Sequence, residues 1–308
     1  MSNGAGSAGP DGSGYRSYYG KPVINEPVWE PVIPAYFFFG GTAGAAATLG
    51  LATRLSGNTA LARTATYVNA VAIGVSPALL IVDLGRPERF LNMLRMFKVT
   101  SPMSLGTWIV TFSGVASGLA TSLEVIGRLP RAKLIAEAAA GALGPFLSTY
   151  TAALLADTAV PVWHEARREL PFVFAGSSAA SAGAACAFVA PPRTARPARR
   201  LAIAGAALEL TAAGVMERRL GFLAEPYKRG RVGALTTAAK ALTTAGALTM
   251  LLQGRRQGGA IGAGALLLGG SLAERFAIFR AGLESARDPR YTIVPQRQRV
   301  DQRAATPA

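Results

Sequence analysis

One cysteine and one histidine in 308 residues leave little with which to hold a metal or a haem. Cys186 alone closes no intrachain disulfide, and it cannot ligate an iron–sulfur cluster or a structural zinc, each of which takes several thiolates or imidazoles. His164 alone cannot supply the histidine pairs that hold haem in membrane cytochromes. Redox chemistry involving this chain must borrow its cofactors: no haem, no iron–sulfur cluster of its own and no metal site is expected. Charge is scarce as well. Charged residues make up 16% of the sequence against 50% hydrophobic, and mean hydropathy is +0.30, too apolar for an ordinary soluble domain.

Apolar sequence is what the chain has in quantity. A bilayer core about 30 Å thick takes roughly 20 apolar residues in a helix rising about 1.5 Å each. Stretches of that kind run over Pro34–Leu55, Leu61–Leu84, Met103–Ile126, Leu134–Val162, Pro171–Val189, Leu201–Val215, Val232–Leu252 and Gly258–Ile278. The sixth is interrupted by Glu209 and the eighth by Glu274-Arg275, so seven spans is the alternative count. The fold class expected is an all-α integral membrane protein of about eight transmembrane helices, built around four-helix bundles. Residues 1–30 form a polar segment rich in Gly, Ser and Pro that does not read as a signal peptide. Residues 31–284 form the membrane domain, with a first bundle at about 31–162 and a second at about 171–284. The tail, 285–308, carries Pro289 and Pro295 and is expected to leave the membrane, with its order dependent on a partner.

The net charge of +15 is dispersed between spans, so there is no contiguous basic domain to lay on a duplex and nucleic acid is not an expected partner. Four loops contain bases and no acid: Arg54 with Arg63; Arg128, Arg131 and Lys133; Arg193, Arg196, Arg199 and Arg200; Arg255 with Arg256. Cytoplasmic loops have this character. The opposite face, with both termini and the loops near 85–102, 157–170 and 216–231, has more Lys and Arg in total but mixes them with acids, so raw counting and local density disagree; density, with Lys21 against Arg54 and Arg63 as the flanks of the first span, favours a multi-pass protein of the cell membrane with both termini outside. Small-residue pairs at Gly40 and Gly44, Gly114 and Gly118, and Gly258 and Gly262 suit close helix packing in lipid. The last pair follows no strand, so it is read as packing and not as a nucleotide loop.

Function is sought among the polar groups that a membrane tolerates at a cost. Asp83 ends the second span in Asp83-Leu-Gly85-Arg86-Pro87, where carboxylate and guanidinium can pair and Gly85 and Pro87 end the helix; an interfacial cap would read the same way. Tyr150 and Asp157 lie nearly two turns apart on one face of the fourth span. A phenol at that depth can donate a hydrogen bond to a carbonyl, as a quinone headgroup requires while it gains electrons and protons. Trp163 fits an interfacial aromatic belt. His164 is a candidate proton carrier or a solvated loop residue. Glu124, Glu137 and Glu209 are candidate buried carboxylates; Glu137, Asp157 and Glu209 are the candidates for a proton relay. Cys186 reads as a small packing residue.

Several ordered motifs together carry a resemblance. Trp29-Glu-Pro-Val-Ile-Pro-Ala-Tyr36-Phe-Phe-Phe-Gly40-Gly41-Thr-Ala-Gly44, Asp83-Leu-Gly-Arg86-Pro87-Glu-Arg89-Phe90, Ser101-Pro-Met-Ser104-Leu-Gly106-Thr-Trp108, and Tyr150 through Trp163 followed by Pro171-Phe172 make the chain similar to the NrfD/PsrC-type polysulfide reductase membrane subunits. The tail Asp288-Pro-Arg290-Tyr291-Thr-Ile-Val-Pro295 resembles that of actinobacterial, formate dehydrogenase-associated members. The resemblance implies an eight-helix subunit without cofactors of its own. Such a subunit anchors a four-cluster-type iron–sulfur protein and a molybdopterin oxidoreductase, and exchanges electrons with quinone, here menaquinone. It implies a quinone site in the first bundle, with Tyr150 as hydrogen-bond donor, Asp83 and Arg86 near the headgroup, and Trp29 and Tyr36 at the entrance. Tyr150, Asp83 and His164 are the expected catalytic residues. The other classes left open are a secondary transporter, for which Pro77 and Pro145 would allow broken helices, and a purely structural anchor.

Overall fold

A computed structural model of the chain describes residues 23–25, 27, 29, 31–86 and 88–305, and the side chains up to residue 297. Lys21, Glu30 and Pro87, and nearly all of the polar segment 1–30, lie outside that description. All regular structure among the described residues is helical. The long helices are α1 (Ile33–Leu55), α2 (Thr59–Asp83), α4 (Pro102–Ile126), α5 (Pro130–Ala156), α7 (Leu170–Val189), α8 (Arg196–Leu220), α9 (Gly230–Gln253) and α10 (Gln257–Arg287). Between and after them come the short α3 (Glu88–Met93) and α6 (Pro161–Glu165), and the tail helix α11 (Arg290–Ala305).

The starts and stops follow local chemistry. Asn58 opens α2, its side-chain oxygen accepting from Leu61 N at 3.2 Å, and Ser101 opens α4 by accepting from Ser104 N at 3.4 Å, with Pro102 in the first turn; both side chains satisfy amides that the helix leaves without partners. Beyond α2, Gly85 takes φ +68°, a left-handed conformation that glycine adopts without penalty.

Seven of the eight long helices are apolar and long enough to cross a membrane. The exception is α8, which carries arginines in both end turns and Glu209 midway. Its buried positions nevertheless recur at helical spacing, from Ala198 through Ala202, Gly205, Glu209 and Ala213 to Leu220, and it packs between α7 and α9. The eighth sequence stretch, despite Glu274 and Arg275, is among the seven.

Helices α1, α2, α4 and α5 pack on one another, as do α7, α8, α9 and α10, and α1 also packs on α7 and α10. Alternation of direction gives the molecule two ends. One, here the Asp83 face, holds the start of α1 and the ends of α2, α5, α8 and α10. The other, the Arg54 face, holds the loops after α1, α4, α7 and α9.

Three expectations are corrected. The fourth stretch does not run to Val162: α5 ends at Ala156, and Pro161 starts a separate short helix. The tail beyond residue 285 is not loose sequence. Helix α10 continues to Arg287, and α11 packs back, its Tyr291 buried against Phe222 and donating to Glu225 Oε2 at 3.1 Å. Of the three glycine pairs, only Gly40 and Gly44 sit at contacts: a Cβ on Gly44 would lie 2.4 Å from Gly144 O of α5, whereas Gly114, Gly118, Gly258 and Gly262 face open space. The tightest crossing in the second group was not read from the sequence. There Gly176 and Gly205 bring α7 and α8 into backbone contact, a Cβ on Gly205 lying 2.3 Å from Ala180 N.

Candidate functional site

The start of α1 and the ends of α2 and α5 converge on the Asp83 face with the first turn of α4. They enclose a narrow cleft of about 60 Å³ whose walls include Trp29, Tyr36, Asp83, Met93, Met103 and Tyr150. Four residues distant in sequence, Trp29, Tyr36, Asp83 and Tyr150, therefore share one cavity. Arg86 does not line it; it is exposed on the turn after α2.

Tyr150 stands six residues before the end of α5, about 9 Å along the axis at 1.5 Å per residue. Its hydroxyl is buried and has no hydrogen-bond partner among the described residues. The Cδ2–Cε2 edge of its ring lies against Gly106 of α4: a Cβ there would come within 2.6 Å of Cε2 and 2.8 Å of Cδ2. Gly106 thus fixes the phenol by leaving room for it. Nothing in the motif at 101–108 gives Gly106 a role in the sequence; the contact with the ring supplies it. Met93 and Met103, unbranched and adaptable, close the cleft beside Asp83. Buried phenols and hydroxyls ordinarily find partners, so the cleft presents one donor ready for an acceptor atom, beside a carboxylate.

Behind this cleft Trp29 stacks on Trp163 with ring centroids 5.7 Å apart, and both pack on Phe279. Trp163 is not an interfacial belt residue. It is fully buried, its Nε1 donating to Ile278 O at 2.8 Å, and its ring occupies the space beside Gly282. Placing the helix end at Ala156 instead of Val162 explains the error: Trp163 sits on α6, which folds back under α10.

The other candidate residues lie elsewhere. His164 is exposed, with Nδ1 3.2 Å from Ala156 O, and it lines a separate cleft with Asp157, Glu165 and Tyr291. Asp157, the residue closing α5, is exposed there and not in the Tyr150 cleft. Glu137 is on the Arg54 face, held by Arg54 through Nε at 2.9 Å and Nη2 at 2.7 Å. Arg54 also reaches Glu124 at 2.9 Å, and Lys133 completes the cluster at 2.7 Å. Glu209 lies deep in the second group of helices, away from both. The described residues contain no group of three His, Cys, Asp or Glu side chains placed to hold a metal ion.

Helices α2 and α5 run unbroken through Pro77 and Pro145, so neither proline opens the interrupted helix that a transporter site would use.

Residues 22–251 of the chain match the family described as polysulphide reductase, NrfD. No curated protein matches the sequence.

Proposed function

Since the chain belongs to the NrfD family of polysulphide reductase proteins, we propose that it is the membrane subunit of a molybdopterin and iron–sulfur oxidoreductase complex, and that quinone reacts in the Tyr150 cleft. The observation that carries the reading is the Tyr150 hydroxyl, buried without a partner in the cavity that also holds Asp83, Trp29 and Tyr36.

In this reading Tyr150 Oη donates a hydrogen bond to one carbonyl oxygen of the quinone, and that bond strengthens as the oxygen gains negative charge. Asp83, at the mouth of the cleft, passes protons between the ring oxygen and the aqueous face. Two electrons from the iron–sulfur partner and two protons convert quinone to quinol; the reverse flow needs the same groups. Trp29 and Tyr36 supply flat apolar walls. The cleft as it stands has room for water and not for a ring, so entry requires rotation of Met93 and Met103, both of which have freely turning side chains. The iron–sulfur partner docks on the Asp83 face, where the cleft lies. The density of bases in the short acid-free loops of the Arg54 face favours turning the Asp83 face outward in the cell membrane, against the larger total of Lys and Arg on the Asp83 face. Menaquinone as the quinone, and formate as the donor oxidised by the complex, are the specific forms proposed.

The test uses the intact complex. Tyr150→Phe lowers electron transfer to a soluble menaquinone analogue about 100- to 1,000-fold, the loss of one donor to a developing oxyanion, while donor oxidation with an artificial acceptor stays at the parent rate. Asp83→Asn acts in the same direction. Parent-level quinone transfer in both variants leaves a purely structural anchor and overturns the reading.

A further inference from the structure

The second group of helices encloses a set of ionisable side chains that plays no part in the Tyr150 cleft. Glu209 is near the middle of α8, and Glu274 with Arg275 near the middle of α10; they are 2%, 4% and 1% exposed. Arg275 Nη2 donates to Phe174 O at 2.9 Å and to Ser178 Oγ at 3.0 Å, and the guanidinium lies 3.7 Å over the Phe174 ring. Its Nε and Nη1 have no hydrogen-bond partner among the described residues, and neither has Glu209 Oε2. Glu209 Oε1 accepts only a long bond, 3.4 Å, from Thr243 Oγ1 of α9. Arg275 lies in the electrostatic field of both Glu209 and Glu274.

The surrounding charged and titratable groups are few. From α9, Lys240 donates to both oxygens of Glu217 of α8, at 2.6 and 2.7 Å, and so is already neutralised. The turn after α8 contributes Tyr227, whose hydroxyl is buried without a partner among the described residues. Helix α7 contributes Ser177 and Ser178, and α1 contributes the backbone at Gly41, where a Cβ would be 3.3 Å from Arg275 Nη2.

Charge counting then decides the protonation. At this depth a net charge is expensive, so a buried cluster settles into its neutral arrangement. One guanidinium and two carboxyl groups are neutral only when one of the two carboxyls carries a proton. Three buried polar atoms without protein partners, belonging to groups of opposite charge, also mark a place for bridging water.

We propose that Glu209, Glu274 and Arg275 form a mid-membrane site that binds a single exchangeable proton, hydrated between the carboxyls and the guanidinium, and reached from the Asp83 face past Tyr227 and the Glu217–Lys240 pair. The proton moves between the two carboxyls while the guanidinium balances the other. The site is independent of the quinone reading, since none of its groups lines the Tyr150 cleft.

Infrared spectroscopy of the purified full chain in lipid at neutral pH counts the protonated carboxyls, using the carbonyl band of a buried carboxylic acid and its shift in heavy water. The parent shows one. Glu209→Gln and Glu274→Gln, close in shape to the parent, each show none, because the remaining carboxylate then balances Arg275. Arg275→Gln shows two, because neutrality now needs both carboxyls protonated. The other buried carboxylates, Glu124, Glu137 and Glu169, are paired with Arg54, Lys133 and Arg219 and stay silent. Thermal melting of each variant confirms that the fold is kept, and should Arg275→Gln fail to fold, the two glutamine variants still carry the test. A parent with no such band, or a band unchanged in both glutamine variants, overturns the proposal. So does a folded Arg275→Gln that still shows one. A band in the parent that does not shift in heavy water overturns the exchange with the aqueous face.

Discussion

The contact between Gly106 and the Tyr150 ring sets up a test that leaves the phenol itself in place. A methyl group at Gly106 would overlap two ring carbons, so Gly106→Ala must push the ring out of its bed. Quinone transfer is expected to fall by about an order of magnitude although the hydroxyl is still there, since misplacing a positioned group by about 1 Å can cost that much or more. Combining it with Tyr150→Phe adds little, and steady-state assay of the single and double variants checks this; full additivity would show that Gly106 acts elsewhere. Asp83 stands out in the sequence as a carboxylate at a span end and Tyr150 as a phenol inside a span, each against apolar neighbours. Gly106 does not, because a glycine in a small-residue helix gives no sign of what it faces. Trp163 was misread for a related reason: a tryptophan near a helix end suits an interface and a core equally, and the fold-back of α6 decides between them.

Helix ends carry two further expectations. Arg54 is shared by Glu137 and Glu124 where α1, α4 and α5 meet, and truncating it leaves Glu137 buried without its cation. Arg54→Ala should destabilise the chain by about 3 kcal/mol, as breaking one side of a buried pair does, and Arg54→Ala with Glu137→Gln should recover much of the loss; melting temperatures in detergent decide. At the other face, Asp288 accepts from Arg290 N at 2.9 Å and from the guanidinium of Arg290 at 2.7 Å, which opens α11. Those bonds from Arg290 hold the Asp288 carboxyl below its ordinary value of 3.8. A depressed carboxyl stabilises the folded form above its ordinary value and loses that contribution as the pH drops through the folded one. The start of α11 should therefore stay protected from amide exchange at neutral pH and loosen below about pH 4, and Asp288→Ala should loosen it by about 1 kcal/mol at neutral pH, a difference from the parent that shrinks as the parent's own carboxyl is protonated. The long helices were readable from apolar length, whereas α11 was hidden: Pro289 and Pro295 are strong local signals of irregular chain, and only packing of Tyr291 against the turn after α8 outweighs them.

For the whole molecule, the division into two faces can be mapped with little background, because Cys186, the single cysteine of the sequence, is buried. In a Cys186→Ala chain, single replacements Asp157→Cys and Arg255→Cys report the two faces; with an impermeant thiol reagent on intact cells, only the first should label, and labelling of the second alone would reverse the orientation. The faces were foreshadowed by the acid-free loops, since charge between spans is independent of how the spans pack. How the groups of helices meet was not foreshadowed, because contacts between sequence-distant helices leave no periodic trace in either partner. Helix α1, which packs on α2, α5, α7 and α10, bears on how the protein is made. It is made before the other described helices, yet its neighbour α10 is synthesised some 200 residues later, roughly 10–40 s at about 5–20 residues per second. Gly44 is covered by α5 once that helix is made, but Gly41, which meets Ser178 of α7 and Arg275 of α10, is left to lipid or to the insertion machinery for longer, so assembly of the interior cannot finish until α10 has arrived.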